Sequence, residues 1–159
     1  MRISIKIDYA LRAMAELAAS TQAQPVKAER LARSQRIPRK FLLAILNELR
    51  RAHLVRSQRG QAGGYLLARP AADITLADVM RAIEGSLANV HDESLRGMAY
   101  PGPASALTDV WKAVRASLRA VLEATSLADL AAAKLPTHVR ALAGRYDATQ
   151  RARRPAQSR

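Results

Sequence analysis

Few residues in this 159-residue chain are equipped for covalent or metal chemistry. There is no cysteine, which excludes a disulfide, a thiolate nucleophile and any cysteinyl zinc or iron–sulfur site. The histidines His53, His91 and His138 lie far apart, and none stands in a nucleophile motif. His91, Asp92 and Glu93 are adjacent, so the three cannot all point at one ion. They read as a solvated loop edge rather than a metal site or an acid/base couple. The glycines from Gly60 to Gly64 lack the Lys-[Ser/Thr] that follows a phosphate-cradling loop. No catalytic residue, metal site or cofactor is expected, and the chain does not read as an enzyme.

What remains is charge, and it is unevenly placed. The chain carries 26 Lys and Arg against 13 Asp and Glu, a formal charge of +13. Residues 1–70 hold 14 basic and 4 acidic side chains, residues 71–147 hold 8 and 9, and the last twelve residues add 4 basic and none acidic. A block of that sign is the footprint of a polyanion partner. At 49% hydrophobic the chain can build a core. No apolar run approaches the ~18 residues of a membrane span, and the start alternates too early for a signal peptide. A soluble cytoplasmic protein without membrane contact is expected.

The basic residues need elements to hold them. Ile3, Ile7, Ala10, Leu11, Met14, Leu17 and Ala18 recur at helical spacing and predict a helix over residues 3–19. A short helix over about 26–34 and a turn at 35–38 follow. Residues 38–52 predict a third helix, with Phe41, Leu42, Ile45, Leu46 and Leu49 as its docking face and Arg39 and Lys40 exposed at its N-terminal end. Residues 54–58 and 65–68 read as strands around the glycine-rich turn 59–64. Thr75 is a candidate N-cap, with Asp78 three residues on, for a helix that Gly85 ends. Residues 86–103 read as a loop. From Ala104, the residues Leu107, Trp111, Val114, Leu118 and Val121 keep the three-and-four spacing of a helix–helix seam. Ser126 caps a short helix with Leu127 and Leu130, and residues 146–159 read as a basic, disordered tail. There are no internal repeats.

Helix, helix, turn, helix and a glycine-tipped hairpin inside the basic block is the order of a winged helix-turn-helix. The fold class is therefore mainly α with a small β-hairpin: a DNA-binding domain over 1–85, a loop over 86–103, and a long helix with a short following helix over 104–135. Arg39 and Lys40 sit where a major-groove helix meets bases and phosphate. Gly60, Gly63 and Gly64 allow the hairpin backbone to approach DNA closely, and Arg59 is placed to enter a minor groove. Two bland readings compete. Short helices joined by turns are common in helical domains, and Gly63-Gly64 also suits an ordinary hairpin turn.

Several motifs then resemble one family. They are Met1-Arg2-Ile3-Ser4, Asp8 to Ala13, Ile37-Pro38-Arg39-Lys40-Phe41-Leu42, Leu54 to Ser57, Arg59-Gly60-Gln61-Ala62-Gly63-Gly64-Tyr65, Leu67 to Pro70, and Ile74 to Gly85. Together they are similar to the Rrf-two family of bacterial winged-helix regulators, strongly over 1–85 and more weakly to about 135. The resemblance implies a homodimer that binds a near-palindromic operator on double-stranded DNA and represses transcription. It assigns Pro38, Arg39, Lys40 and Phe41 to the recognition helix, and Arg59, Gly60, Gly63, Gly64 and Tyr65 to the wing. Arg2 and Ser4 become phosphate contacts, and the helix from Ala104 to Glu123 becomes the dimerisation helix, its interface formed by Leu107, Trp111, Val114, Leu118 and Val121.

One departure matters. Many members hold an iron–sulfur cluster through three cysteines in the loop before that helix, and Asn89 to Ser105 has none here. A cluster-free regulator is expected, its signal a small-molecule effector, a partner protein or nothing at all. Met98, Tyr100 and Trp111 are candidates for lining a small apolar site, though they read first as core or interface residues. The runner-up is a structural DNA-binding protein that does not choose its sites. A third reading is an enzyme accessory whose basic face docks an acidic partner.

Overall fold

The computed structural model describes residues 3–20, 24–85 and 99–153. Its elements run α1 (Ile5–Ala19), α2 (Ala28–Gln35), α3 (Arg39–Arg51), β1 (Val55–Gln58), β2 (Gly64–Leu67), α4 (Leu76–Glu84), α5 (Leu107–Leu122), α6 (Leu127–Ala131) and α7 (Thr137–Arg153), with 3-10 turns at Ala71–Asp73 and Gly102–Ala106. Among the described residues no helix is long and apolar enough to cross a membrane.

Helix α1 starts at Ile5 because Ser4 caps it, its hydroxyl accepting from the Ile7 N–H at 3.2 Å. Its buried stripe, Ile7, Ala10, Ala13, Met14 and Leu17, makes it the central post on which α2, α3, α4 and α6 lean. Leu31 of α2, Leu42, Ile45, Leu46 and Leu49 of α3, Ile74 and Val79 around α4, and Leu127 of α6 close the core. The hairpin is antiparallel, in register Val55↔Leu67, Arg56↔Leu66, Ser57↔Tyr65 and Gln58↔Gly64. Val26 adds a bridge on its far side: Val26 N–H donates to Tyr65 O and Tyr65 N–H donates to Val26 O, both at 2.9 Å.

A second bridge ties distant chain segments. Leu76 N–H donates to Thr125 O at 2.9 Å, and Leu127 N–H donates to Ile74 O at 2.8 Å. Each segment opens a helix with a capping box, Thr75 with Asp78 and Ser126 with Asp129. The two read Ile-Thr-Leu-Ala-Asp-Val and Thr-Ser-Leu-Ala-Asp-Leu, at 74–79 and 125–130. The expectation of no internal repeats misses this six-residue echo, which pairs with itself across the fold.

Three further expectations are corrected. Phe41 does not dock on the body; it is 53% exposed, and the buried face of α3 is Leu42, Ile45, Leu46 and Leu49. The helix expected from Ala104 begins at Leu107, because Pro101, Gly102 and Pro103 impose a 3-10 turn first. Residues 146–153 are helical, the end of α7, rather than a disordered tail; residues 154–159 lie outside the described residues. Ala141, Leu142, Ala143, Arg145, Ala148, Gln150 and Arg151 carry high intrinsic helix propensity, so a helix forms with little burial to support it. It touches α5 where His138 Nε2 donates to Ala120 O at 2.9 Å, and residues 140–151 are exposed.

Candidate nucleic-acid interface

The turn between α2 and α3 is set by Arg36, which caps α2 in the left-handed region at φ 52° and ψ 45°. Arg36 N–H reaches Arg33 O at 3.3 Å, and Ile37 N–H reaches Ala32 O at 2.9 Å, satisfying the last carbonyls of α2. Ile37 is buried, which pins the turn to the core. Pro38 then takes the N-cap place of α3, and its carbonyl accepts from Leu42 N–H at 3.0 Å. Arg39 and Lys40 therefore open α3 at its positive dipole end, with no acidic residue in the first turn. With Leu42, Ile45, Leu46 and Leu49 buried, the outward face presents Lys40, Phe41, Ala44, Asn47 and Arg51. An exposed phenylalanine there suits apolar contact with a thymine methyl.

The wing glycines have internal reasons to be glycine. A Cβ on Gly64 would stand 2.6 Å from Val26 O, inside the bridge that fastens the hairpin to the body. A Cβ on Gly63 would collide with the carbonyl of Gln58 and stand 2.8 Å from Gly60 O, the acceptor of the turn's 2.9 Å bond from Gly63 N–H. Gly60, at φ 101°, is open to solvent. Tyr65 is half-buried against the core, its backbone spent on Val26. Gly63, Gly64 and Tyr65 thus build and anchor the wing. The exposed polar side chains it offers are Arg56, Ser57, Gln58, Arg59 and Gln61.

The electrostatics of residues 3–70 is lopsided because every carboxylate is already engaged. Asp8 pairs with Arg12 at 3.1 Å, Glu48 with Lys6 at 2.8 Å and Glu29 with Arg39 at 2.8 Å, while Glu16 accepts from Gln35 Nε2 at 2.7 Å. Arg69 reaches Asp78 at 3.9 Å. Among the described residues Lys27, Arg30, Arg33, Arg36, Lys40, Arg50, Arg51, Arg56 and Arg59 have no carboxylate partner. They sit on α2, the turn, α3 and the wing. Of the two expected phosphate contacts at the chain start, Arg2 lies outside the described residues. The Ser4 hydroxyl is committed to the α1 cap and to Glu84 Oε1.

The sequence reading overlooked Lys27, Arg30 and Arg33, which edge an open cleft with Glu29 and Ser34 along α2. Their three-residue spacing was the available signal, since it puts all three on one helical face.

The seam expected on α5 is split between two faces. Leu107, Val110 and Val114 point outward, 38%, 49% and 43% exposed, while Trp111, Leu118 and Val121 are half-buried toward the protomer. No residue of α5 is fully buried. Trp111 Nε1 is nevertheless enclosed without an acceptor among the described residues. Helix α5 is tied to α4 through Arg81 and Glu123, and Glu123 is held below the ordinary carboxylate range by hydrogen bonds from Arg119 and Arg81. Tyr100 is half-buried just ahead of the Gly102–Ala106 turn. His91, Asp92, Glu93 and Met98 lie outside the described residues, and among the others no three His, Asp or Glu gather into a metal-holding group.

Comparison with known proteins matches residues 3–133 to the family model Rrf2, described as an iron-dependent transcriptional regulator. The Mycobacterium tuberculosis (strain H37Rv) protein Rv1287, named among the HTH-type transcriptional regulators, is 52% identical over 153 residues, covering 96% of this chain and 95% of that one. The HTH-type transcriptional regulator CymR of Bacillus subtilis is 32% identical, covering 82% of this chain and 90% of its own. Among solved structures, B. subtilis CymR, the global cysteine regulator, superposes with a TM-score of 0.72 at 32% identity, over 83% of this chain and 97% of that one. IscR of T. potens superposes with a TM-score of 0.65 at 35% identity, over 82% and 85%.

Proposed function

This chain belongs to the Rrf2 family of helix-turn-helix transcriptional regulators, a DNA-binding regulator and not an enzyme; from that premise we propose that it is a sequence-specific repressor, acting as a homodimer in the cytoplasm on a near-palindromic operator. The observation that carries this reading is the set of cations without a carboxylate partner on α2, the turn, α3 and the wing, beside carboxylates of residues 3–70 that are all engaged. Neutralising phosphates with such a set releases counterions, so affinity falls steeply with salt. Arg39 and Lys40 at the start of α3 and Arg59 at the wing tip are the side chains proposed for base readout, with Phe41 beside them. Gly60, Gly63, Gly64, Tyr65 and Pro38 support them by shaping the wing and the turn.

Dimerisation is proposed through the outward stripe of α5, Leu107, Val110 and Val114, a contiguous apolar row of the kind that soluble monomers keep small. Trp111, Leu118 and Val121 back that stripe from the protomer side. A two-fold axis between α5 helices would set the recognition helices about one DNA turn, roughly 34 Å, or a multiple apart.

An iron–sulfur form of the iron dependence in the family's description does not fit the donors of this chain. A cluster of the iron–sulfur type is held by thiolates, and no cysteine exists at any position. The regulator is proposed to work without a cluster, leaving its signal to a small molecule or a partner protein.

Selection of duplexes from a randomised library, followed by footprinting, tests the proposal. A repressor of this kind enriches one two-fold sequence and binds it roughly a thousandfold more tightly than scrambled duplex at equal salt. Comparable affinity for both would instead identify a structural DNA-coating protein.

A further inference from the structure

One carboxylate stands where a DNA-facing surface has least use for it. Glu29 lies in the first turn of α2, flanked by Lys27, Arg30 and Arg33, and its Oε1 receives Arg39 Nε at 3.0 Å and Nη2 at 2.8 Å. The bond bridges the two helices of the reading unit. Both ends are fixed, because Leu31 anchors α2 and Leu42 anchors α3, each fully buried. The pair itself is open to solvent, with Arg39 63% and Glu29 55% exposed. Exposed pairs contribute little to folding, so stability gives no reason for its position. Glu29 also stays ionised below the ordinary carboxylate range, through a hydrogen bond at its own backbone and then through Arg39.

We infer that Glu29 is a positioning residue for sequence readout: it holds the Arg39 guanidinium in one orientation and withholds it from passing phosphates. This rests on the reading of α3 as the recognition helix. With the Nε–Nη2 edge turned to Glu29, the Nη1 side of the fork is left for acceptors on a base edge. An unheld arginine would lose more side-chain freedom on docking and would serve any phosphate equally. Holding it therefore lowers binding to DNA at large and raises binding to the duplex whose base can take the fork.

The test uses the full chain with Glu29→Gln, Arg39→Ala and the double substitution. Each is titrated by fluorescence anisotropy against the duplex that the parent chain enriches from a randomised library, and against a scrambled duplex of equal length. Glu29→Gln should weaken the enriched duplex by about three- to tenfold, a fraction of what one readout contact carries. It should also steepen the salt dependence on scrambled duplex by roughly one phosphate contact. In the Arg39→Ala background it should no longer weaken the enriched duplex. A carboxylate acting by repulsion alone would instead make Glu29→Gln bind both duplexes more tightly, and that result overturns the inference. So does a loss that persists without Arg39. If the library yields no preferred sequence, or Arg39→Ala leaves the enriched duplex unaffected, the recognition reading fails and takes the inference with it. Normal enrichment with a sensitive Arg39 and an inert Glu29 removes the inference alone.

Discussion

The body formed by α1 to α4, the hairpin and α6 differs from the arms α5 and α7 in what each leaves unsatisfied. In the body most apolar residues are consumed: Met14, Leu31, Leu42, Ile45, Leu46, Leu49, Ile74 and Leu127 are fully buried, while Ile3, Ile5 and Phe41 stay exposed at the chain start and on α3. Among its described residues nine cations, on α2, the turn, α3 and the wing, are left without a carboxylate. In α5 the carboxylates and all cations but Arg115 are paired, Lys112 with Asp109 at 3.1 Å and Arg119 with Glu123 at 3.0 Å. There it is the apolar side chains that stay uncovered. The body is complete as a fold and open toward a polyanion, whereas the arm is electrically quiet and open toward another apolar surface. This contrast is the basis of the proposal that DNA meets one region and a second copy the other.

The largest expected effect breaks the arm. Val110→Asp with Val114→Asp places charge on the outward stripe without touching the buried core. Sedimentation should show monomer, and affinity for a two-half-site duplex should fall on the order of a hundredfold or more, because the second half-site no longer binds intramolecularly. A variant that stays dimeric would move the interface elsewhere and undo the contrast. Stability should obey the same division. Leu46→Ala in α3 should cost about 2–5 kcal/mol in urea unfolding, as a large-to-small change at a sealed site. Leu142→Ala in α7, at an exposed position, should stay within roughly 0.5 kcal/mol. Equal losses would mean that α7 packs on the body.

The third effect sharpens the body's side. Arg59→Ala at the wing tip should cost about 1–3 kcal/mol on the enriched duplex and relax preference near the wing. Equal losses on scrambled duplex would reduce Arg59 to a phosphate contact. The native fold and thermal midpoint should not change, since Arg59 is exposed and has no carboxylate partner among the described residues.

How much of this was legible in the sequence depended on whether a residue's role was local. Caps are local: Thr75 with Asp78, and Ser126 as a helix start, followed from side-chain chemistry and spacing, and so did the hairpin around its glycines. Phe41 was misplaced because a three-to-four spacing rule cannot distinguish the edge of an apolar stripe from its centre. Its neighbour Leu42 took the buried place. The Val26 bridge was invisible because one strand-like residue after Pro25 leaves no pattern, yet it is the reason Gly64 has no side chain. Helix α7 was missed by weighing burial alone, when alanine, arginine and glutamine favour helix without it. The Glu29–Arg39 pair spans ten residues and two helices, so it needed the turn at Arg36 before it could be seen.

The smallest effect probes a clasp inside the body, the bridged segments at 74–79 and 125–130 that open α4 and α6. Asp129 is held below its ordinary range by hydrogen bonds from the Ser126 hydroxyl and then from the Ser126 backbone N–H, with contacts of 2.6 Å and 2.9 Å. A carboxyl lowered in the folded state binds fewer protons there than when unfolded. Its contribution is therefore complete above the unfolded pKa and is lost as pH falls through the folded one. Ser126→Ala removes the first of those bonds and the reciprocal cap on Asp129 N–H, at about 1 kcal/mol near neutral pH. The deficit should begin to shrink below about pH 4, where the unfolded carboxyl takes up its proton before the folded one does and the parent chain starts to lose this contribution. Urea unfolding of both chains from pH 7 to pH 3 should thus converge toward acid. If the deficit does not shrink at all toward acid, Asp129 does not report the cap, and the clasp between α4 and α6 rests on the backbone bonds of Leu76 and Leu127 alone.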